Sequence, residues 1–302
     1  MHRASVMPAG MLLLAACWSP PYREVPVASP SARNSGTDAS TAAGGVLRFS
    51  VAARQSPQST FASYSPLVER VAELVGARAD LVQRRTYREV NELLARGELD
   101  AAMICTGAWL DLQRRWPGRA EPLVVAVMRG RITYNSFLIV PTDSPVRSLG
   151  DLQGKQFAYT DELSLTGHAW PTHALHALGR DPARTFSSVY FTQSHDRSIR
   201  AVAQGLFDGA AVDSLVYRAL VAAEPNLARA TRVVETSPPF GMPPVVVSTR
   251  LPPEARARLR EAFLGLHEHP DAIPTLAELG IEQYVVPPPD LYNTAAAVLA
   301  DR

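Results

Sequence analysis

From Val46 onward, apolar runs of strand length alternate with stretches of helical period, and this alternation restricts the chain to an α/β fold more tightly than any other feature. Val46–Val51 reads as a strand, and Ser65-Pro66 then opens a helix carrying Leu67, Val68, Val71, Leu74 and Val75, stopped by Gly76. Asp80–Gln83 is a short strand. Thr86-Tyr87-Arg88-Glu89 has the spacing of a capping box and starts a helix with Val90, Leu93 and Leu94 that ends at Gly97. Leu99–Ile104 is the next buried strand. Strands separated by helices imply parallel sheets covered on both faces, with ligands at the carboxyl ends of the strands.

The pattern restarts after Tyr134. Strands are expected at Ser136–Val140, Gln156–Thr160, Ser188–Thr192 and Ala210–Asp213, with a short turn at Ser148–Gly154 and helices at Thr166–Leu178 and Asp196–Gln204. Val245-Val246-Val247, after Pro243-Pro244, reads as the chain returning to the first unit, and Pro252 to Arg302 supplies helices with Leu259, Ala262, Phe263 and Leu266 on one face. The expected organisation is a two-lobed clamshell: lobe 1 from 46–136 and 246–302, lobe 2 from 137–245, and hinges near Ser136 and Val246.

Ahead of the folded part, His2 and Arg3 precede an apolar stretch from Met7 to Ala16, too short to span a bilayer and laid out like a secretory signal. It ends in Leu14-Ala15-Ala16-Cys17, which resembles a bacterial lipobox; the alternative is a plain signal peptide with an incidental cysteine. Residues 1–17 are therefore read as a lipoprotein signal with Cys17 as the lipidation site. Residues 18–45, rich in Pro, Ser, Ala, Thr and Gly, read as a flexible tether. That layout describes a membrane-anchored protein whose folded part works in the periplasm or outside. With 30 Lys+Arg against 29 Asp+Glu, nothing points to a nucleic-acid surface. The chain has two cysteines, and assigning one to the lipobox leaves Cys105 alone, which rules out a disulfide framework.

Polar residues gather at strand ends. Tyr87 opens a helix and either packs or presents its hydroxyl to the cleft. Cys105-Thr106-Gly107 sits where a strand meets a helix N-terminus, a position that lowers a thiol pKa; the alternative is a small buried hydrophobe. Asp161-Glu162-Leu163-Ser164-Leu165-Thr166-Gly167 follows a strand and opens a helix, an arrangement suited to an anion. Ser194-His195-Asp196 and Val212-Asp213-Ser214 repeat the geometry. Ser164, His195 and Asp213 would also make a nucleophile, base and orienter, but no Gly-x-Ser-x-Gly elbow supports that, and no Walker loop or dinucleotide fingerprint is present. The spacings of His168, His173 and His176, and of His267 and His269, match no zinc pattern. The chain is read as a non-enzyme without a cofactor.

Several stretches together resemble the phosphate, phosphite and phosphonate substrate-binding proteins of ABC importers: Tyr87-Arg88-Glu89-Val90 with Gly97–Ala102, Tyr134–Val140 with Asp143-Ser144-Pro145, Leu149–Lys155, Asp161–Pro171, Ser194-His195-Asp196, and Gly205–Asp213. The resemblance runs from about Leu47 to about Gly280 and implies an α/β, two-lobed type II periplasmic-binding clamshell with two crossover strands. By position it implies that Tyr87 and Tyr134 contact an oxyanion, that Ser164, Thr166 and the Gly167 N–H form the anion loop, that His195 is a ligand histidine, and that Asp213 accepts a hydrogen bond from a protonated oxyanion. Thr106, beside Cys105, joins this set. Leu165 departs from the family threonine, and Cys105 from its usual small residue; a cysteine here is similar to the arsenite-sensing branch, which signals to a membrane histidine kinase. The implied ligand is a small oxyanion, Cys105 being a candidate for arsenite, and the implied partner of a monomer is an ABC permease or such a kinase.

Overall fold

The structure is a computed structural model that describes residues 45–52 and 57–300, without the side chains of 57–59. The signal, lipobox and nearly all of the tether expected from the sequence lie outside the described residues, and everything described falls within one compact unit, residues 39–302.

The chain begins in the first lobe with β1 (Val46–Val51), α1 (Pro57–Leu74), β2 (Arg78–Leu81), α2 (Tyr87–Arg96), β3 (Ala101–Met103), α3 (Thr106–Arg115) and β4 (Ala120–Val127). A two-residue strand, β5 (Thr133–Tyr134), leads to the second lobe. There follow β6 (Ser136–Pro141), β7 (Gln156–Tyr159), a π-helix at Leu165–Ala169 running into α4 (Trp170–Ala177), α5 (Pro182–Thr185) and β8 (Ser188–Phe191). Next come α6 (His195–Ala203), β9 (Gly209–Asp213), α7 (Ser214–Ala223), α8 (Pro225–Ala230) and β10 (Thr231–Thr236). The short β11 (Phe240–Gly241) returns the chain to β12 (Pro244–Ser248), α9 (Pro253–Leu264), α10 (Ile273–Leu279), β13 (Gln283–Val285) and α11 (Asn293–Ala300).

Each lobe is built on one sheet, six-stranded in the order β13-β4-β12-β3-β1-β2 and five-stranded in the order β10-β6-β9-β7-β8. The sheets are mixed where the sequence implied parallel ones. β1, β2 and β3 run parallel, as do β7, β8 and β9, but β12 enters antiparallel between β3 and β4, and β6 enters antiparallel to β9. The chain crosses between lobes on a two-stranded ribbon of β5 and β11, Tyr134 opposite Phe240 and Thr133 opposite Gly241. Val246, expected at a hinge, is wholly buried within β12 and opposite Ala102. Its valine run is a central strand, so the return crossing lies upstream at Phe240–Gly241.

Local chemistry accounts for the elements that carry the site. Thr86 caps α2 in a full capping box with Glu89, and Gly97 closes that helix at a φ of 74°. Ser148 and Asp151 make a second capping box on the turn Leu149–Leu152. α1 begins well before Pro66, which lies inside it rather than opening it, because the preceding turn buries Thr60 and packs Tyr64 on the core. One apolar cluster packs α1, α9 and α10 on the first sheet, and another packs α6 and α7 on the second. A third joins Tyr87, Leu94 and Trp109 of the first lobe to Phe157, Leu165 and Trp170 of the second, through Phe240 of the ribbon and Val298 of α11. The lobes therefore meet over a shared apolar surface.

Candidate functional site

Every residue singled out from the sequence as a ligand contact is buried where the lobes meet. Tyr87, Thr106, Ser164 and Thr166 are fully buried, and Cys105, Tyr134, His195 and Asp213 nearly so. Parallel strands end here on both sides: β3 delivers Cys105 and Thr106, β7 delivers the Asp161–Gly167 loop, and β9 delivers Asp213.

The second-lobe residues form one hydrogen-bonded cluster. Ser136 on β6 lies opposite Asp213 on β9, and its hydroxyl donates to the Thr166 carbonyl at 2.6 Å. The backbone N–H of Asp213 donates to His195 Nδ1 at 3.1 Å, and Thr160 Oγ1 lies 3.1 Å from the same nitrogen. Because an amide N–H can only donate, Nδ1 accepts, which puts the ring proton on Nε2 and makes it a donor. That tautomer is the wrong one for a general base oriented by a carboxylate at Nδ1, so the Ser164–His195–Asp213 set is not wired as a triad. One Asp213 carboxylate oxygen caps α7, accepting from Leu215 N at 2.7 Å and Val216 N at 3.3 Å.

The Gly167 N–H donates to Ser164 Oγ at 3.0 Å, so in this structure it stabilises the loop itself. A side chain at Gly167 would run into Thr160, which explains the glycine. The first helical turn is π rather than α, a form frequent at functional sites, and Thr166 Oγ1 within it is buried without a hydrogen-bond partner.

On the first lobe, Tyr134 OH lies 3.4 Å from Thr106 Oγ1, and Thr106 in turn donates to the Gly241 carbonyl at 2.8 Å. These contacts tie the α3 N-terminus to both ribbon strands. Cys105 caps α3 in extended conformation without a side-chain hydrogen bond to the helix. The sequence expectation of a lowered thiol pKa is overturned. Burial pushes the thiol up, and the Asp213 carboxylate adds to the rise, while backbone N–H groups of Leu165, Gly107 and Ala108 oppose it. Desolvation outweighs the helix terminus, and Cys105 is held as a neutral thiol between groups of both lobes.

Contacts across the cleft include some the sequence did not single out. The Tyr87 N–H donates to Asp161 Oδ2 at 3.1 Å, and Arg88 pairs with Glu162 at 3.3 Å. Gly107, at the second position of α3, lies so close to the Leu163 carbonyl that a side chain would collide with it. A glycine inside a helix, where it costs roughly 1 kcal/mol, was the one sequence signal of this approach. The sequence reading places Asp161 in the anion segment, but nothing local marks it as the partner of Tyr87, 74 residues away, nor, within the second lobe, Thr160 as the partner of His195, 35 residues away.

Residues 49–292 match the family of ABC-transporter phosphonate periplasmic substrate-binding proteins. The chain belongs to that family. Among curated relatives, it is 28% identical over 171 residues to the phosphate-import protein PhnD of Mycolicibacterium smegmatis, covering 53% of each chain. The match thus spans about half the length of that relative. It is 22% identical over 238 residues to the phosphonates-binding periplasmic protein of Escherichia coli, covering 78% of this chain and 70% of the relative. Among solved structures, the binding-protein component of an ABC phosphonate transporter from Pseudomonas aeruginosa superposes with a TM-score of 0.79 at 21% identity, covering 84% of this chain and 85% of the other. That likeness establishes the two-lobed type II periplasmic-binding fold. Among the described residues, no helix is long and apolar enough to cross a membrane, and no group of His, Cys, Asp and Glu is placed to hold a metal ion.

Proposed function

We propose that this chain is the substrate-binding protein of an ABC importer, a monomer held at the membrane by a lipid on Cys17, and that it closes on a small phosphorus oxyanion: phosphate, phosphite or a phosphonate. The observation that carries the reading is Thr166 Oγ1, a wholly buried hydroxyl without a partner in a cluster of donors and one carboxylate. Such an orphan costs about 1–3 kcal/mol, which a ligand oxygen accepting from it recovers. The ligand sits among Thr166 and Ser164 hydroxyls, His195 Nε2–H and the hydroxyls of Tyr87 and Tyr134. Asp213 accepts from a protonated ligand oxygen. Neutral donors strip water from an anion without a buried counter-charge, and the carboxylate disfavours ligands that have lost every proton.

Calorimetric titration of Asp213→Asn and Tyr134→Phe tests the assignment. Asparagine keeps an oxygen for the α7 cap while removing the charged acceptor, so both variants should fold and bind about tenfold or more weakly. Parent-like affinity in both contradicts the site.

A second reading rests on Cys105, whose thiol lies between the lobes beside Asp213 and the Leu165 amide. Here the ligand is arsenite, held by Cys105, and the partner is a membrane histidine kinase. The neutral state of the thiol favours the first reading, since a thiolate is the stronger ligand for soft metalloids.

A further inference from the structure

Ser194 opens α6 and is only 2% exposed, yet its hydroxyl has no hydrogen-bond partner among the described residues. A serine in this position ordinarily turns its oxygen onto an N–H of the first helical turn. Here only the Ser194 carbonyl serves the helix, accepting from Ser198 N at 3.2 Å and from Thr192 Oγ1 at 3.0 Å. The first-turn N–H groups of α6 have no carbonyl within the helix to bond. A buried, unspent hydroxyl therefore lies at the positive end of a nine-residue helix.

The backbone is bent to put the hydroxyl there. Gln193 adopts a φ of 68°, and among the described residues it shares a positive φ outside glycine with Arg129 alone. Such a conformation crowds Cβ against the backbone and persists only where the surroundings impose it, commonly beside a ligand. Thr160, which follows β7, supplies that constraint: its carbonyl accepts from Gln193 N at 2.8 Å and its hydroxyl lies 3.1 Å from His195 Nδ1. The Thr160 N–H in turn donates to the Gly167 carbonyl at 3.2 Å. One residue thus holds the anion loop by one bond and the Gln193–His195 turn by two others. The two orphaned hydroxyls, Thr166 and Ser194, each sit next in sequence to a residue bonded to Thr160. Asp196, also in the first turn of α6, acts on the Arg200 guanidinium one turn along.

We propose that the Ser194 hydroxyl is a further ligand donor, holding the bound anion from the α6 side together with His195 while Thr166 and Ser164 hold it from the anion loop. The inference rests on the phosphorus-oxyanion reading above and adds a specificity-determining residue to it. Melting curves without ligand, and calorimetric titration with phosphate, phosphite and methylphosphonate, test it on the purified parent, Ser194→Ala and Ser194→Asp. Ser194→Ala should melt within about 2 °C of the parent and bind tenfold or more weakly, because the lost hydroxyl serves the ligand and not the helix. Aspartate caps a helix as well as serine does, so Ser194→Asp should fold, but its carboxylate faces the anion and should lower affinity at least a hundredfold.

A helix-capping role gives the opposite pattern and overturns the inference: Ser194→Ala melts several degrees lower, and Ser194→Asp matches the parent in both melting and affinity. Binding by Ser194→Ala within twofold of the parent also overturns it, and the anion site stands without Ser194. Failure of the parent to bind any of the three probes removes the oxyanion reading and the inference with it.

Discussion

The backbone N–H of Tyr87 donates to the Asp161 carboxylate at 3.1 Å, joining the first turn of α2 in one lobe to the anion-loop segment of the other. A carboxylate at a helix N-terminus is a favourable pairing, and here the acid and the helix belong to opposite halves of the clamshell. The contact exists only while the lobes meet, so it contributes to the closed state alone.

Burial pushes the Asp161 carboxyl above its ordinary value, with the Leu163 and Tyr87 N–H groups opposing; the charge of Glu162 adds to the rise and Arg88 offsets it. With the lobes together this carboxyl is easier to protonate than one in water, so its contribution to that arrangement is complete below the ordinary carboxylate value and is lost as pH rises through the raised one. Affinity should therefore decline with rising pH across that window in the parent protein, and Asp161→Asn should flatten this limb. Titrating both proteins with one ligand cancels the ligand's own ionisation. Identical pH profiles would assign the limb to another group.

Gly107→Ala sets a methyl group against the Leu163 carbonyl and within 2.8 Å of the Leu165 nitrogen, both in the opposite lobe. Neither lobe needs to change to accommodate it, but the pair cannot close fully. The expected result is a melting temperature within about 2 °C of the parent in the absence of ligand, with affinity reduced roughly a hundredfold, about 2.7 kcal/mol. An intact affinity would show that the approach of α3 to the Leu163 carbonyl is not required for binding.

Much of this arrangement was legible in the sequence because it is set locally. The Thr86–Glu89 box, the Gly97 stop and the strand-end positions of Cys105, Ser164, His195 and Asp213 follow from spacing and turn chemistry within a few residues. Other parts depend on distant packing. β4 begins Ala120-Glu121-Pro122 and lacks clear alternation, yet pairs with both β12 and β13. The β5–β11 ribbon exists only because residues about a hundred apart pair, and the π turn at Leu165 carries no signature in its composition. The thiol was misread for the same reason: helix position is local, whereas the burial that governs Cys105 comes from the meeting of two lobes.

Thr166→Val removes the orphaned hydroxyl while preserving shape. Deleting an unsatisfied buried group should leave unfolding stability unchanged or raise it by up to about 1 kcal/mol. Loss of a donor to a charged ligand should cost about 1.5–3 kcal/mol of binding, or ten- to more than a hundredfold in affinity. Parallel chemical denaturation and calorimetry separate the two effects, and a variant that binds like the parent would remove Thr166 from the site.

Cys105 should react slowly with alkylating reagents at neutral pH, because the buried thiol is held protonated, and bound ligand should slow it further by holding the lobes shut. Cys105→Ser should alter affinity for a phosphorus oxyanion by no more than about threefold and abolish any arsenite binding. A large loss of phosphorus-oxyanion affinity would make the thiol a direct contact.

The most direct test of the account is calorimetric titration of the purified protein with phosphate, phosphite, methylphosphonate, sulfate, arsenate and arsenite under one set of conditions. The expected result is saturable one-to-one binding of at least one phosphorus oxyanion, weakened about tenfold or more in Thr166→Val and Asp213→Asn and kept within about threefold in Cys105→Ser. Selective binding of arsenite that disappears in Cys105→Ser, with no response to any phosphorus compound, would contradict it.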